Sequence, residues 1–233
     1  MTGTYALAVD LGGTKVEAAL VDDTGDLIDA SRFRAPTGRT STADRLAESV
    51  KTVVHQSLAA LPPAARLTGV GIGSAGPINV EQGWVSPLNL PAWRDFPLRD
   101  LVASEVPDVA VSLRMDGECI TLAEHWRGAA QGESNVMGMV VSTGVGGGLI
   151  LGGRAIAGPT GNAGHIGHVE VGGFDDLCDC GGTGCLEAVA SGPKTTAWAR
   201  RQGWTGESGE DLAVSYAAGD PIAIAAVTRS GRA

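Results

Sequence analysis

A strand, a glycine turn and a second strand follow one another in residues 5–21, YALAVDLGGTKVEAALV. Ala6–Val9 and Val16–Val21 are apolar and favour extended structure, while Gly12-Gly13-Thr14 between them is typical of a tight turn. Asp22-Asp23-Thr24-Gly25 predicts another turn, after which Leu27–Phe33 extends the meander. The opening therefore predicts three consecutive antiparallel strands.

The segments that follow narrow the fold class. Ser41–Leu61 has apolar residues at helical spacing, with Ser41 or Thr42 as the N-cap and two prolines after its end. Leu67–Ile72 is a further apolar strand. Hairpin strands followed by a helix and a strand indicate an RNase H-like lobe, because a Rossmann unit begins β-α-β. A second strand, glycine turn and return strand, residues 136–151, predicts a second lobe.

Composition excludes several classes of protein. The 233 residues are 43% hydrophobic and 18% charged, as in ordinary globular proteins. A formal net charge of −9 argues against a nucleic-acid-binding surface. We find no signal peptide and no apolar run long enough to span a membrane, so we expect a cytoplasmic protein without a membrane partner.

Two glycine-rich turns are candidate phosphate-binding loops. In Asp10–Lys15 the glycines expose backbone N–H groups, the Asp10 carboxylate can hold hydrated Mg²⁺, and Thr14 and Lys15 add a hydroxyl and a charge. The second turn, Ser142–Gly148, contains Thr143, Gly144 and Gly146. A strand, and not a helix, follows these glycines. The turn is therefore not the glycine motif of a dinucleotide-binding site, in which the glycines begin a helix. The alternative for either turn is a structural hairpin.

Three cysteines within eight residues indicate a metal. Cys178, Cys180 and Cys185 lie on a glycine-rich loop, and one upstream histidine, His165 or His168, completes a tetrahedral set. Zinc suits Cys3His ligands, and four protein ligands leave no open position, so the site is predicted to be structural. Buried free thiols are the alternative. The fourth cysteine, Cys119, lies in a predicted helix and is interpreted as a core residue.

Asp116 is a candidate general base. It follows the predicted strand Val109–Leu113 and precedes the predicted helix Cys119–Trp126, where strand ends present side chains to a site. An aspartate at this point can equally serve as a helix N-cap. The residues alone favour neither role.

Together these motifs resemble those of the ROK family (repressors, open reading frames and sugar kinases). Asp10–Lys15 is similar to the first phosphate loop of the family, and Ser142–Gly148 to the second. The family's ExGH element and CxCGxxGCxE motif are matched between His165 and Glu187. The resemblance implies an α/β protein with the actin-like ATPase or RNase H-like two-lobed fold of hexokinases, with lobes 1–115 and 116–233.

The resemblance also implies a function, an ATP-dependent, glucokinase-like phosphorylation of a hexose or N-acetylhexosamine. It implies Asp116 as general base, His168 as zinc ligand and Glu187 as acceptor of a sugar hydroxyl. It further implies that Asn89 lies in a loop folded over the sugar, and that the cofactors are ATP, Mg²⁺ and structural Zn²⁺. The donor in the family can also be polyphosphate, and the implied assembly is a homodimer or homotetramer.

Three departures from the family pattern bear on function. Met115 stands where the family has asparagine before the aspartate, and His165 stands where it has the glutamate of ExGH. Both positions are expected to face the sugar, so hydrogen bonds worth about 1–3 kcal/mol each are altered. The chain is also expected to stop before a nucleotide-binding segment, leaving the second lobe incomplete. The alternative functions are therefore a sugar-binding ROK regulator or a catalytically impaired ROK protein.

Overall fold

A computed structural model describes residues 3–233. These residues form two compact units. Unit 1 runs to Met137 and includes Gly148–Ala163, and unit 2 comprises Gly138–Gly147 and Gly164–Ala233. The units have other bounds than the lobes 1–115 and 116–233, because residues 116–137 and 148–163 group with unit 1. The division into those two functional lobes stays a prediction.

The described residues contain ten strands and seven helices. The strands are β1 (Thr4–Leu11), β2 (Lys15–Asp22), β3 (Phe33–Pro36), β4 (Arg66–Ser74), β5 (Ile78–Asn79), β6 (Trp84–Val85), β7 (Val111–Met115), β8 (Val136–Val141), β9 (Val145–Leu151) and β10 (Arg154–Ala155). The helices are α1 (Ala43–Ala59), α2 (Leu98–Glu105), α3 (Asp116–Arg127), α4 (Leu186–Ala190), α5 (Gly192–Arg201), α6 (Gly209–Ala217) and α7 (Pro221–Ser230). No helix among residues 3–233 is long and apolar enough to cross a membrane.

Unit 1 is built on a mixed five-stranded sheet of order β3-β2-β1-β4-β7. The first three strands pair antiparallel, and β4 and β7 run parallel to β1. The predicted hairpins, helix and strand are thus confirmed in their order. The parallel register brings the carboxyl ends of β1, β4 and β7 to the same edge of the sheet.

Helix α1 covers β2 and β3 because one of its faces is apolar. Leu46, Val50, Val53 and Val54 are buried at helical spacing, 1% exposed or less. The Thr42 hydroxyl accepts a hydrogen bond from the Arg45 N–H, so Thr42, and not Ser41, is the N-cap. The helix begins and ends two residues inside the predicted range 41–61.

The predicted strand Leu27–Phe33 is wrong over most of its length. Leu27 forms one isolated bridge to Val21, Asp29–Ser31 is a 3-10 turn, and β3 begins only at Phe33. The physical reason is the buried Ser31 hydroxyl, which accepts from the Leu20 N–H and donates to the Ile28 carbonyl. This side chain replaces a ladder hydrogen bond and favours a turn.

The second glycine turn is shorter than predicted. Val145 already begins β9, and the turn Ser142–Gly144 closes with a bond from the Ser142 N–H to the Gly144 carbonyl. Gly147 lies within the strand, where a Cβ would come 2.5 Å from the Gly138 carbonyl oxygen. Close backbone approach, not turn formation, explains this glycine.

Unit 2 packs four short helices around a small apolar core of Ala199, Trp204, Leu212, Ala223 and Ala226. Arg229 of α7 extends this core with a charged contact. Its guanidinium pairs with the Asp176 carboxylate and lies 5.0 Å from the centre of the Phe174 ring. The loop that carries the cysteines is thereby held to the last helix of the unit.

Candidate active site

Asp10 and Asp116 lie on either side of a glycine in unit 1. Asp10, one residue before the end of β1, lies opposite Gly73 of β4, and a Cβ on Gly73 would lie 3.7 Å from the Asp116 Cα. Gly73 therefore leaves the space between the two carboxylates open. No local sequence pattern shows that Gly73 separates two carboxylates, because this depends on pairing between distant segments.

The environment of these carboxylates raises the pKa of both. Burial raises the pKa of Asp10, and the charge of Asp116 raises it further, while Lys15 lowers it. Burial also raises the pKa of Asp116, against the Gly117 N–H, which donates to its Oδ1 at 2.7 Å. A half-buried carboxylate with a raised pKa binds a proton or a cation more readily than one in water.

Asp116 is not the N-cap of α3. Met115 holds that position with an extended backbone and makes no side-chain cap bond, and Asp116 is the first residue of the helix. The alternative that Asp116 is the N-cap of this helix is therefore wrong. Within residues 3–233, the Asp116 carboxylate accepts a hydrogen bond only from the adjacent Gly117 N–H, through Oδ1. Its Oδ2 is therefore available to a ligand.

The first predicted phosphate loop is a tight, braced turn. The Gly12 N–H donates to the Lys15 carbonyl at 3.0 Å, and the Thr37 hydroxyl donates to the Gly12 carbonyl at 2.9 Å. Thr14 and Lys15 are exposed beside it. A Cβ on Gly13 would lie 2.4 Å from the Asn89 Nδ2, so glycine is required there by this contact.

Asn89 reaches that turn from the loop after β6. The loop is anchored by Trp93, which is fully buried, stacks on Phe96 at 3.9 Å and donates its indole N–H to the Ala43 carbonyl. The Asn89 Oδ1 is buried and has no hydrogen-bond partner among residues 3–233. A buried acceptor of this kind is satisfied by a ligand or a water molecule.

In unit 2, Glu187 braces the second predicted phosphate turn. Its Oε2 accepts from the Val145 N–H at 2.8 Å, and a Cβ on Gly144 would lie 2.5 Å from the same oxygen. Thr143 is exposed at the tip of the turn, whereas Gly146 lies in β9. The turn, and not the whole glycine run, is therefore the part that can present N–H groups to an anion.

A Cys3His cluster forms the clearest constellation of unit 2. The ligand atoms of His168, Cys178, Cys180 and Cys185 all lie within 4.8 Å of one another. The Cys178 Sγ lies 3.5 Å from the His168 Nδ1, and the Cys180 and Cys185 Sγ atoms are 3.7 Å apart. Zinc with bonds of about 2.0–2.3 Å needs ligand separations of about 3.5–3.8 Å. The donor set thus fits zinc.

His165 lies against the cluster without belonging to it, whereas Met115 lies in the core of unit 1. The His165 ring contacts His168 edge-on at 4.5 Å, and burial, with the charge of His168, lowers the pKa of His165 to about 4. The imidazole of His165 is therefore neutral at physiological pH. Met115 is 2% exposed and belongs to the apolar core of unit 1. The structure gives Met115 a packing role, and its predicted contact with the sugar has no support from this geometry.

The mixed sheet and the paired strand ends define a protein of the actin-like ATPase fold. The structure superposes with a TM-score of 0.79 on a ROK family glucokinase from Streptomyces griseus, solved with glucose and AMPPNP, at 29% identity; 95% of this chain and 74% of that one are covered. The ROK family profile matches residues 6–233. The chain belongs to the ROK family.

Two curated relatives are enzymes by name. A glucokinase from Halalkalibacterium halodurans is 32% identical over 222 residues, covering 93% of this chain and 65% of the relative. An N-acetylmannosamine kinase from Yersinia pseudotuberculosis is 37% identical over 199 residues, covering 85% and 64%. The chain therefore spans about two thirds of the length of these relatives. Both relatives are named as sugar kinases, which is the activity that the resemblance to the family implies.

Proposed function

We propose that this chain carries the catalytic residues of a sugar kinase that transfers the terminal phosphoryl group of ATP to a hydroxyl of a hexose or N-acetylhexosamine. The observation that carries the proposal is the placement of Asp10 and Asp116 on either side of Gly73. Two carboxylates at the ends of parallel strands, one beside a phosphate-type turn, suit phosphoryl transfer. The kinase names of two curated relatives support the same reaction.

Asp116 acts as the general base. Its carboxylate accepts the proton of the sugar hydroxyl as the oxygen attacks phosphorus, and the bond to the bridging oxygen of the nucleotide diphosphate breaks. The raised pKa matches this task, since a carboxylate of higher pKa is the stronger base. Asp10 would hold a hydrated Mg²⁺, which would supply charge neutralisation for the phosphate oxygens.

In unit 1, the first glycine turn is proposed to bind phosphate oxygens through backbone N–H groups. Gly13 and Thr14 supply these N–H groups, because the Gly12 N–H already donates to the Lys15 carbonyl, and in unit 2 Thr143 and Gly144 are a second candidate set. Asn89 of unit 1, whose Oδ1 is buried without a hydrogen-bond partner among residues 3–233, is a proposed sugar contact. Glu187, His165 and His168 of unit 2 are proposed sugar contacts on the resemblance to the family. His165 is a neutral donor or acceptor there, so it can pair with a hydroxyl without adding charge.

Zinc at His168, Cys178, Cys180 and Cys185 is proposed to be structural. With four protein ligands it has no position for substrate or water, so it shapes the loop next to His165 and takes no part in proton transfer. A homo-oligomer in the cytoplasm is proposed as the setting of the enzyme, on the resemblance to the family alone.

A coupled ADP-release assay tests the activity. We expect turnover with ATP, Mg²⁺ and at least one member of a panel of hexoses and N-acetylhexosamines, and loss of at least about a thousandfold in kcat for Asp116→Asn. Asp100→Asn, on the exposed surface of α2, is the matched control and should keep normal turnover. Sugar affinity of Asp116→Asn, measured by calorimetry, should change little.

The alternative is a sugar-binding protein without catalysis, which the imidazole of His165 at the position of the family's glutamate favours. The same assay, combined with a measurement of sugar binding, distinguishes this alternative from the kinase. Sugar binding of the zinc-loaded protein without turnover on any member of the panel would support the alternative and reject the kinase. Normal turnover by Asp116→Asn would reject Asp116 as the base.

A further inference from the structure

The three cysteines of the Cys3His cluster differ in their exposure to solvent. Cys178 and Cys185 are 8% and 4% exposed, whereas Cys180 is an exposed residue at the surface of unit 2. A small solute therefore reaches Cys180 before it reaches the other two. Because oxidation of cysteine follows access to the sulfur, the cluster has one member at which an oxidant attacks first.

The Cys185 sulfur lies next to that of Cys180. The two Sγ atoms are 3.7 Å apart, while the Cys178 Sγ lies beside the His168 Nδ1 at 3.5 Å. A disulfide has an S–S bond of about 2.05 Å, so the two sulfurs have to approach each other by about 1.7 Å. Rotation of the two side chains covers such a distance, which makes Cys185 the available partner of Cys180.

Gly182 lies against both of these sulfurs. A Cβ on Gly182 would lie 3.1 Å from the Cys185 Sγ and 3.5 Å from the Cys180 Sγ, so a side chain at this position would crowd both. The Gly182 N–H donates to the Cys180 Sγ at 3.4 Å, and its carbonyl accepts from the Cys178 N–H at 2.9 Å. The backbone of the loop thus orients Cys180 and leaves the approach of the two sulfurs open.

Cys185 also connects the cluster to the second glycine turn. It is the N-cap residue of α4, and Glu187 lies in the first turn of that helix. The Glu187 Oε2 accepts from the Val145 N–H at 2.8 Å, which is the contact that braces the turn Ser142–Gly144. A displacement of Cys185 therefore acts on α4 and, through Glu187, on this turn.

We propose that Cys180 and Cys185 are a site of reversible oxidation by hydroperoxides, at which a disulfide replaces two of the four zinc ligands and loosens α4. The proposal rests on the zinc site proposed above and goes beyond it, because it assigns a second chemical state to two of its ligands. The site requires neither sugar nor nucleotide.

The chemistry consumes one hydrogen peroxide for each disulfide. The Cys180 sulfur attacks one peroxide oxygen, the O–O bond breaks, and the products are a sulfenic acid and water. The Cys185 sulfur then attacks the sulfenic sulfur, the S–O bond breaks, and the S–S bond forms with release of a second water. The two sulfurs lose two electrons and the peroxide gains them. The two protons that the waters need come from the thiols, or from solvent where the sulfurs are metal-bound thiolates.

The disulfide ends zinc binding because its sulfurs are no longer thiolate ligands. Only His168 and Cys178 of the cluster then stay available, and two ligands do not hold a structural zinc. Reduction by a dithiol restores both cysteines and with them the complete ligand set.

The test treats the zinc-loaded chain with hydrogen peroxide, without sugar or nucleotide. A chromophoric chelator follows zinc release, and peptide mass spectrometry maps the oxidised cysteines. We expect one zinc per chain to be released at the rate at which the Cys180–Cys185 disulfide forms, and dithiothreitol with added zinc to reverse both changes. Hydrogen exchange in α4 and at Val145 should rise with the same time course.

Two variants sharpen the test. Cys180→His keeps a zinc ligand but removes the exposed thiol, and should slow zinc release by peroxide at least about tenfold. Cys119→Ser, outside the cluster, is the matched control and should release zinc as the unaltered chain does. If Cys180→His does not bind zinc, the disulfide map of the unaltered chain decides.

Three outcomes would overturn the proposal. One is a disulfide that contains Cys178, and another is over-oxidation of Cys180 without any disulfide. The third is retention of zinc and of both thiols when peroxide has already oxidised the methionines. Metal analysis before the treatment tests the zinc site by itself. A chain without zinc at that stage would reject that site, and the disulfide map would still show whether the pair forms.

Discussion

At the scale of residues, the candidate site depends on the lack of a side chain at Gly73, between Asp10 and Asp116. Gly73 has no side chain, so the two carboxylates flank an open space at the end of β4. The same principle applies at Gly13, where Asn89 occupies the volume that a Cβ would take. At Gly13 a Cβ would displace the Asn89 side chain, whereas at Gly73 it would come 3.3 Å from the Cys119 Sγ and fill part of the open space.

A methyl group at Gly73 should therefore impair activity. In Gly73→Ala the new Cβ lies 3.3 Å from the Cys119 Sγ and 3.7 Å from the Asp116 Cα, so it tightens the packing of α3 and occupies part of the space between the carboxylates. We expect kcat to fall by roughly tenfold to a hundredfold with little change in sugar affinity. Steady-state kinetics together with thermal unfolding measure the two effects separately.

Gly71→Ala is the control for that substitution. Gly71 lies two residues earlier on β4, and nothing lies within 4 Å of its added Cβ. We expect normal kcat and unchanged or slightly higher stability, by up to about 1 kcal/mol. If both variants lose activity equally, the loss belongs to the strand and not to the space between the carboxylates.

At the scale of elements, α1 shows how a cap is chosen. The sequence offers Ser41 and Thr42 as adjacent caps, and the structure selects Thr42, whose hydroxyl accepts from the Arg45 N–H. The apolar face of α1 has to meet β2 and β3, and this requirement sets where the first turn begins. Local propensity alone cannot distinguish two good capping residues that follow each other.

Thr42→Ala should lower the free energy of unfolding by about 1 kcal/mol, because the first turn of α1 loses its side-chain acceptor. Ser41→Ala, in which no cap bond is removed, should change it by less than about 0.5 kcal/mol. Urea denaturation followed by circular dichroism measures both. The opposite order of effects would show that Ser41 is the cap in solution.

At the scale of the whole molecule, the two units are stabilised differently. Unit 1 has a large apolar core under its five-stranded sheet. Unit 2 has a core of only five buried side chains, a half-buried ion pair of Arg229 with Asp176, and the Cys3His cluster. A small unit of this kind depends more on a metal than a unit with a full core.

Metal analysis should find one zinc per chain, and Cys185→Ser should lose it. Chelation should increase hydrogen exchange in residues 164–233 before it does so in the sheet of unit 1, because the metal holds four ligands of unit 2 together. Cys119→Ser, outside the cluster, should keep the zinc. Intact protein without zinc would contradict the proposal. So would an equal increase in hydrogen exchange in both units after chelation.

The sequence by itself determined the hairpins, the helix and strand after them, the fold class and the family, since periodicity, glycine turns and the cysteine spacing are local patterns. It also determined which residue types can bind phosphate or metal. The tertiary structure decided between His168 and His165 as neighbour of the cysteines, placed Met115 in the core, and ended the second turn at Gly144. It also brought Asp116 to Gly73. The physical reason is that each of these depends on distances between segments far apart in the chain, which pairing and packing set and no local pattern contains.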